Sequence, residues 1–286
     1  TRIPDDAYAI AANQVAQQKI DFNDPENYMW SDGLLEFVEE HHLNPNKDGF
    51  NFRKIFGTDT EKDRHYNTPR VWFGQRYFTP EVEQEPTSSE LPFICRANRL
   101  LSVEDLEYVL SSHYNETKYD PLGHGSEEDK KRFRPISLNR TQNSHVLQIR
   151  NNVPEEQAGL MWMCFGVPSF TPYVPFYANT NDTDPSWSNT PLEFDMNSAY
   201  WMYRALSMLV ESHHAQFIQD DLDYLTAARE QQYRLIDEND KAAQELSGED
   251  LTRFLTEKNY EMVADMKERT MGMINHFFVE GLKLSL

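Results

Sequence analysis

ISLNRTQNSHVLQIR (residues 136–150), NNVPEEQAG (151–159), LMWMCFGV (160–167) and PSFTPYVPFYA (168–178) form the stretch on which the fold turns. It reads as two apolar strands joined by a polar turn, followed by an aromatic run bracketed by prolines. Val146, Leu147 and Ile149 are β-branched or aliphatic residues with loop residues on both sides. Residues 160–167 are a continuous apolar run of strand length, which predicts a strand buried on both faces. Asn139, Arg140 and Thr141 stand just ahead of the first strand, on its entry loop. Polar side chains held at a strand end by a rigid sheet are a common place for chemistry. Taken alone, Arg140 reads as half of a surface salt bridge.

Working outward, residues 8–12 are short, apolar and strand-like, and end on Asn13. The run 20–32 is rich in turn formers, with Asn23-Asp24-Pro25 as its breaker. Ser31-Asp32 predicts the cap of a helix through about residue 42, with Leu34, Leu35, Phe37 and Val38 on its apolar face. Phe50, Phe52, Ile55 and Phe56 suggest a short packed element, residues 70–77 an extended or helical aromatic segment, and residues 80–92 a surface loop. Ser102 and Asp105 open a helix over 103–114 whose apolar side is Leu106, Val109 and Leu110. Residues 115–132, with Gly123 and Gly125, form a loop. From 197 onward the pattern is almost wholly helical, with a break at Gly248 and an amphipathic helix over 248–278. Strand, helices, two or three strands and then long helices make an α+β chain.

Composition narrows the function. Twenty-seven Lys and Arg against 47 Asp and Glu give a formal charge of −20. Such a field repels phosphate backbones and anionic membrane surfaces, so neither nucleic acid nor membrane is an expected partner. No apolar run reaches the ~18 residues of a membrane span. The two cysteines, Cys95 and Cys164, are too few for a disulfide scaffold and suit a reducing compartment, so a cytoplasmic location is expected. Cys164 lies inside the apolar strand as a small hydrophobe. Arg96 could lower the pKa of Cys95, although a structural role fits both thiols better.

Two Glu-x-x-His pairs, Glu39/His42 and Glu211/His214, fall on predicted helices, the spacing used by di-iron carboxylate bundles. Nine histidines and 47 acids in 286 residues produce about 1.5 such pairs by chance, so two are no excess. The doublets at 41–42 and 213–214 diverge around a helix and make poor chelates. With no His-Glu-x-x-His, no paired Cys-x-x-Cys and no glycine-rich phosphate loop, metal and nucleotide are both rejected. Asn115, Asn139 and Asn181 open glycosylation sequons that matter only in a secretory context.

Two stretches carry a specific resemblance: RIPDDAYAIAANQVAQQKIDFNDPENYMWS (2–31), and LNRTQNSHVLQIR with GLMWMCFGVPSFTPYVPFYANT (138–150 and 159–180). Together they resemble the later part of the bacterial dipeptidases of the C69 peptidase family. These are N-terminal nucleophile (Ntn) hydrolases related to secernins, penicillin V acylases and bile salt hydrolases. The resemblance spans the whole chain and implies a four-layer αββα sandwich, incomplete at its N-terminal side, with long C-terminal helices. It makes residues 1–286 the C-terminal part of one domain: strand and loop (1–30), helical and loop insertion (31–135), core strands (136–178) and C-terminal helices (197–286).

The same resemblance implies a cysteine-type dipeptidase, working without a cofactor by acyl transfer on a dipeptide, as a homo-oligomer. The family's nucleophile is a cysteine at the mature N-terminus, whereas this chain begins at Thr1. The nucleophile is therefore expected in a missing N-terminal part of the same protein, leaving this chain inactive alone. By the resemblance, Asn13 of Ala12-Asn13-Gln14 donates to an oxyanion hole, and Arg140 is the arginine beside the nucleophile. Two alternatives stay open: Thr1 as the nucleophile, or a non-catalytic helical interaction domain using the acidic tail.

Overall fold

The computed structural model describes residues 1–46 and 49–284. Lys47, Asp48, Ser285 and Leu286, which fall in the expected ranges 31–135 and 197–286, lie outside the described residues. The chain is mixed α and β, with small antiparallel sheets and long C-terminal helices. It divides into two compact units, Thr1–Asp105 with His113–Ile136, and Leu106–Ser112 with Ser137–Leu286.

In the first unit, β1 (Tyr8–Ala9) pairs antiparallel with β2 (Ile94–Cys95), Tyr8 opposite Cys95. The strand expected over 8–12 stops at Ala9 because its partner is only two residues long. The chain then runs on without a sheet partner, and the Arg53 guanidinium supplies the missing donors. It donates to the carbonyls of Val15 (2.6 Å), Ala16 (3.2 Å) and Ser89 (3.0 Å). Arg53 stands in the short helix α2 (Phe52–Phe56), which ends at Gly57. A Cβ there would meet the Val15 side chain at 2.8 Å, so only glycine lets helix and extended run approach so closely.

Helix α1 (Leu34–Glu40) starts from Gly33 (φ 74) and has no side-chain cap, so Ser31-Asp32 does not cap it as predicted. It ends before His42, whose φ is 51; Glu39 and His42 therefore do not share a helix face. Helix α3 (Glu61–Tyr66) opens on a capping box between Thr60 and Asp63. The segment over 70–77 is helical: α4 (Thr68–Phe78) carries Pro69 in its first turn. Residues 80–92 form an irregular loop, pinned where Trp72 Nε1 donates to Gln84 O (2.9 Å) and Gln75 Nε2 to Pro92 O (2.7 Å). Helix α5 (Val103–Leu110) exposes Leu106, against expectation, and buries Asp105. The Asp105 carboxylate closes the cap on Ser102 N (2.8 Å) and receives the Arg99 guanidinium (2.9 Å from Nη2), which draws it inward. The loop 115–132 contains one short helix, α6 (Glu127–Lys130).

In the second unit, β3 (Asn143–Ile149), β4 (Gly159–Phe165) and β5 (Val174–Tyr177) form an antiparallel sheet in that order. Val146 faces Trp162, and Leu160 faces Tyr177. Leu160, Trp162 and Cys164 are fully buried while Met161, Met163 and Phe165 are half-covered, so β4 is sealed on one face rather than both. On β3 the alternation is sharper: Val146 is buried, but Leu147 is 71% exposed and Ile149 82%. The apolar residues of β3 thus point both ways, because side chains alternate along a strand.

Helices α7 (Pro185–Ser188), α8 (Ala199–Ser212), α9 (His214–Ala242) and α10 (Gly248–Leu284) pack around this sheet. Sequence periodicity did not show the break at His213, which carries no glycine or proline; it separates Glu211 from His214. Gly166 (φ 82) leads β4 toward α8, where a Cβ would meet Ser207 Oγ at 3.0 Å. The free edge of β5 is closed by a side chain: Asn259 of α10 accepts from Tyr177 N (2.9 Å) and donates to Tyr177 O (3.2 Å). Arg150, just past β3, donates to both oxygens of Asp240 on α9 (2.5 and 3.2 Å) and to Gln157 O (2.6 Å). Tyr177 hydroxyl also donates to Asp240 (2.9 Å). The pair is more than four-fifths buried and every oxygen of Asp240 is used, the condition under which a buried ion pair holds together.

One buried acid has no such support. Asp221 on α9 is fully buried, and neither carboxylate oxygen has a hydrogen-bond partner among the described residues. Burial pushes its carboxyl up to about 8 from an ordinary 3.8, so the folded chain holds it protonated at neutral pH. Its contribution to stability is therefore fully present below pH 3.8 and is lost as pH rises through about 8. The loss runs at roughly 1.4 kcal/mol per pH unit inside that window. Asp221→Asn removes the titration. Its thermal midpoint should exceed that of the parent by several degrees at pH 8, with the gap closing toward pH 4. A gap that stays constant across this range would show that Asp221 does not titrate there.

Candidate active site

Residues 10–16 run on without a sheet partner and bend at Asn13-Gln14. Ile10, Ala12, Gln14 and Ala16 line a small pocket of about 20 Å³, room for a single water, together with Arg53 and Leu91. Asn13 does not line it and is exposed. Gln14 Nε2 fixes the run by donating to Thr58 O (2.8 Å).

Among the described residues, the Asn13 side chain is held at one end only. Arg70 Nη1 donates to Asn13 Oδ1 at 3.1 Å. A guanidinium is donor-only, so the amide must present its oxygen there, leaving Nδ2 aimed away with two donors to offer. Arg70 is itself fixed at the corner between α3 and α4. Its Nη2 donates to Asn67 Oδ1 (3.0 Å) and its Nε to Tyr66 O. Asn67 Nδ2 in turn donates to Asp63 Oδ1 at 2.8 Å. Burial pushes the Asp63 carboxyl up. Hydrogen bonds from the Thr60 backbone and from the Thr58, Thr60 and Asn67 side chains outweigh that, holding it at about 2. A permanent anion thus anchors Asn67, Asn67 and Tyr66 orient Arg70, and Arg70 holds Asn13.

Nothing in the sequence reading pointed to Arg70. A signal was present: 63, 67 and 70 are spaced i, i+4 and i+7, one face of a helix. The aromatic residues of 70–77 hid it.

Arg140 belongs to the second unit. It is exposed in the turn that leads into β3, and among the described residues no ion pair holds its guanidinium. The surface salt bridge suggested by the sequence is not formed. The turn itself is fixed: Thr141 Oγ1 accepts from Leu138 N (3.0 Å), Thr141 N donates to Leu138 O (2.9 Å), and Arg204 of α8 donates to Asn139 O. The backbone is rigid while the charge is free to meet an anion.

Neither cysteine suits a nucleophile. Cys164 is completely buried beside Thr171 Oγ1 (3.0 Å), and burial pushes its thiol up to about 12. Burial also raises Cys95, which corrects the expectation that Arg96 lowers it. Arg96 instead pairs with Asp6 (2.9 Å), because consecutive side chains of an extended chain point apart. The Thr1 hydroxyl donates to Gln17 Oε1.

Comparison with known proteins finds a family and relatives along most of the chain. The model of Peptidase family C69 matches residues 1–227. A probable dipeptidase of Latilactobacillus sakei is 56% identical over 99% of this chain and 60% of its own length. Dipeptidase A of Lactobacillus helveticus is 40% identical over 98% of this chain and 59% of its own. A dipeptidase of Bifidobacterium longum is 34% identical over 73% of this chain and 42% of its own. The chain thus spans about 60% of the length of the first of these relatives.

The thiol environments make a direct prediction. Iodoacetamide at pH 7.5 should leave Cys164 unmodified in the folded chain and label Cys95 only slowly, with both labelled fully in denaturant. Peptide mass spectrometry reads the two sites separately. Rapid native labelling of Cys164 would contradict its burial.

Proposed function

The chain belongs to peptidase family C69, and on that premise we propose that it is part of a cysteine-type dipeptidase. The nucleophile is an N-terminal cysteine outside these 286 residues; the fold is the layered Ntn sandwich, of which they form the later part of one domain. The cysteine's own α-amine takes the thiol proton, and the resulting thiolate attacks the dipeptide carbonyl. The tetrahedral oxyanion collapses to a thioester as the leaving amine takes up that proton. Water, deprotonated by the same amine, then hydrolyses the thioester and restores the thiol. Acyl transfer of this kind needs no cofactor. A homo-oligomer in the cytoplasm fits the family and the two free thiols.

Asn13 is the residue that supports the reading best. Its amide carbonyl is taken up by Arg70 (3.1 Å), so the Nδ2 donors are presented outward from a fixed backbone, the form an oxyanion donor needs. In this reading Arg140 supplies positive charge near the nucleophile and favours its thiolate.

Removing one oxyanion donor typically costs ~10²–10³ in turnover. In the complete dipeptidase, Asn13→Ala should lower kcat by that factor with little change in KM or thermal midpoint. Asn13→Asp should be worse, since a carboxylate repels the oxyanion. A lowered midpoint with normal kcat would return Asn13 to the role of a strand-ending turn residue.

Arg140→Lys should reduce turnover and raise the pH at which the nucleophilic cysteine is alkylated, because lysine lacks the planar fork. Unchanged alkylation and turnover would sink the assignment. The chain by itself should hydrolyse no dipeptide, and turnover abolished by Thr1→Ala would overturn the cysteine reading in favour of Thr1.

A further inference from the structure

We propose that Arg70 is a positioning residue for the dipeptidase reaction, fixing which end of the Asn13 amide faces the oxyanion; this rests on the reading of Asn13 given above. An asparagine amide rotates about its terminal bond between two orientations, one presenting two donors and the other an acceptor. Only the first stabilises an oxyanion; the second repels it. An exposed asparagine at a bend has little of its own to choose between them, so the selection must come from a neighbour.

Arg70 makes that selection by being unable to accept. Its Nη1 sits 3.1 Å from Asn13 Oδ1, so the flipped amide would set a donor against a donor. Its own orientation is fixed independently, by Asn67 Oδ1 at 3.0 Å and by Tyr66 O. The Asp63 carboxylate, 5% exposed, holds Asn67 at 2.8 Å and keeps its charge to about pH 2. The guanidinium therefore arrives at Asn13 with two of its edges already committed. A cation on the carbonyl end of an amide also polarises its N–H groups, strengthening them as donors as negative charge develops. Lysine at this position keeps the charge but offers a compact point donor, without the fork that reaches Tyr66, Asn67 and Asn13 together.

A double-mutant cycle in the complete dipeptidase tests this. Asn13→Ala is measured first; normal kcat in that variant removes the oxyanion reading itself, before any arginine variant is examined. Arg70→Lys and Arg70→Met are then made with Asn13 present and with Asn13→Ala. Misorienting a single catalytic group costs up to ~10²-fold, so each should lower kcat at least ~10-fold with KM within about twofold when Asn13 is present. With Asn13→Ala in place, the same substitutions should change kcat by less than about twofold, because the group they act through is gone. Equal losses in both backgrounds would make Arg70 a structural residue acting independently of Asn13. An undiminished kcat in Arg70→Lys and Arg70→Met would equally overturn the proposal. Arg70→Lys guards against a folding failure in Arg70→Met, and thermal midpoints on the same preparations separate the two effects.

Discussion

A buried backbone carbonyl left without a donor costs on the order of 1–3 kcal/mol, and an extended run without a sheet partner leaves several. The first unit meets this constraint with guanidinium groups. Arg53 reaches three carbonyls, two on the run that carries Asn13 and one on the loop at Ser89. Arg70 takes the carbonyl of Tyr66 and the side-chain oxygens of Asn67 and Asn13. Arginine suits the task because its donors lie in a rigid plane and it accepts nothing. With only two strand residues pairing on each side, these side chains replace the ladder that would otherwise fix residues 10–16.

The second unit solves a similar problem by other means. Its outer strand β5 presents unpaired backbone groups, and the amide of Asn259 pairs with both the N–H and the C=O of Tyr177 as a neighbouring strand would. Arg150 and Asp240 tie the end of β3 to α9 through a bidentate pair that Tyr177 completes. The sheet edge, the strand end and the helix are thereby held by a few buried polar groups, and both oxygens of Asp240 are used. Asp221 is the exception, and its protonation at neutral pH is the consequence: an unpaired buried carboxylate avoids its desolvation cost by keeping its proton.

Site chemistry follows from the same contrast between supplied and withheld partners. Cys164 and Cys95 lie where burial favours the neutral thiol, so the chain's own sulfurs are poor nucleophiles. Among the described residues, Arg140 stands on a fixed turn with its guanidinium uncommitted, and Asn13 stands on a fixed run with its amide donors uncommitted. Rigid support beneath an unsatisfied polar group is the arrangement that lets a side chain stabilise charge without reorganising when the charge appears.

Local pattern carried a good part of this protein. The α+β order, a strand through Val146 to Ile149, a strand starting near Leu160, the Ser102–Asp105 cap and the helical tail could all be read from periodicity and capping residues, because those signals act within a few residues of chain. Asn13 and Arg140 became candidates only through resemblance, since an asparagine ending a strand and an arginine in a turn have ordinary explanations. Tertiary structure decided what periodicity could not: that β1 ends at Ala9, that Leu147 and Ile149 are exposed, that the helix breaks at His213 and that Arg96 serves Asp6 rather than Cys95. It alone linked Arg70 to Asn13 across 57 positions of chain. That hydrogen bond depends on where a helix corner and an extended run meet in space, a distance no local pattern encodes.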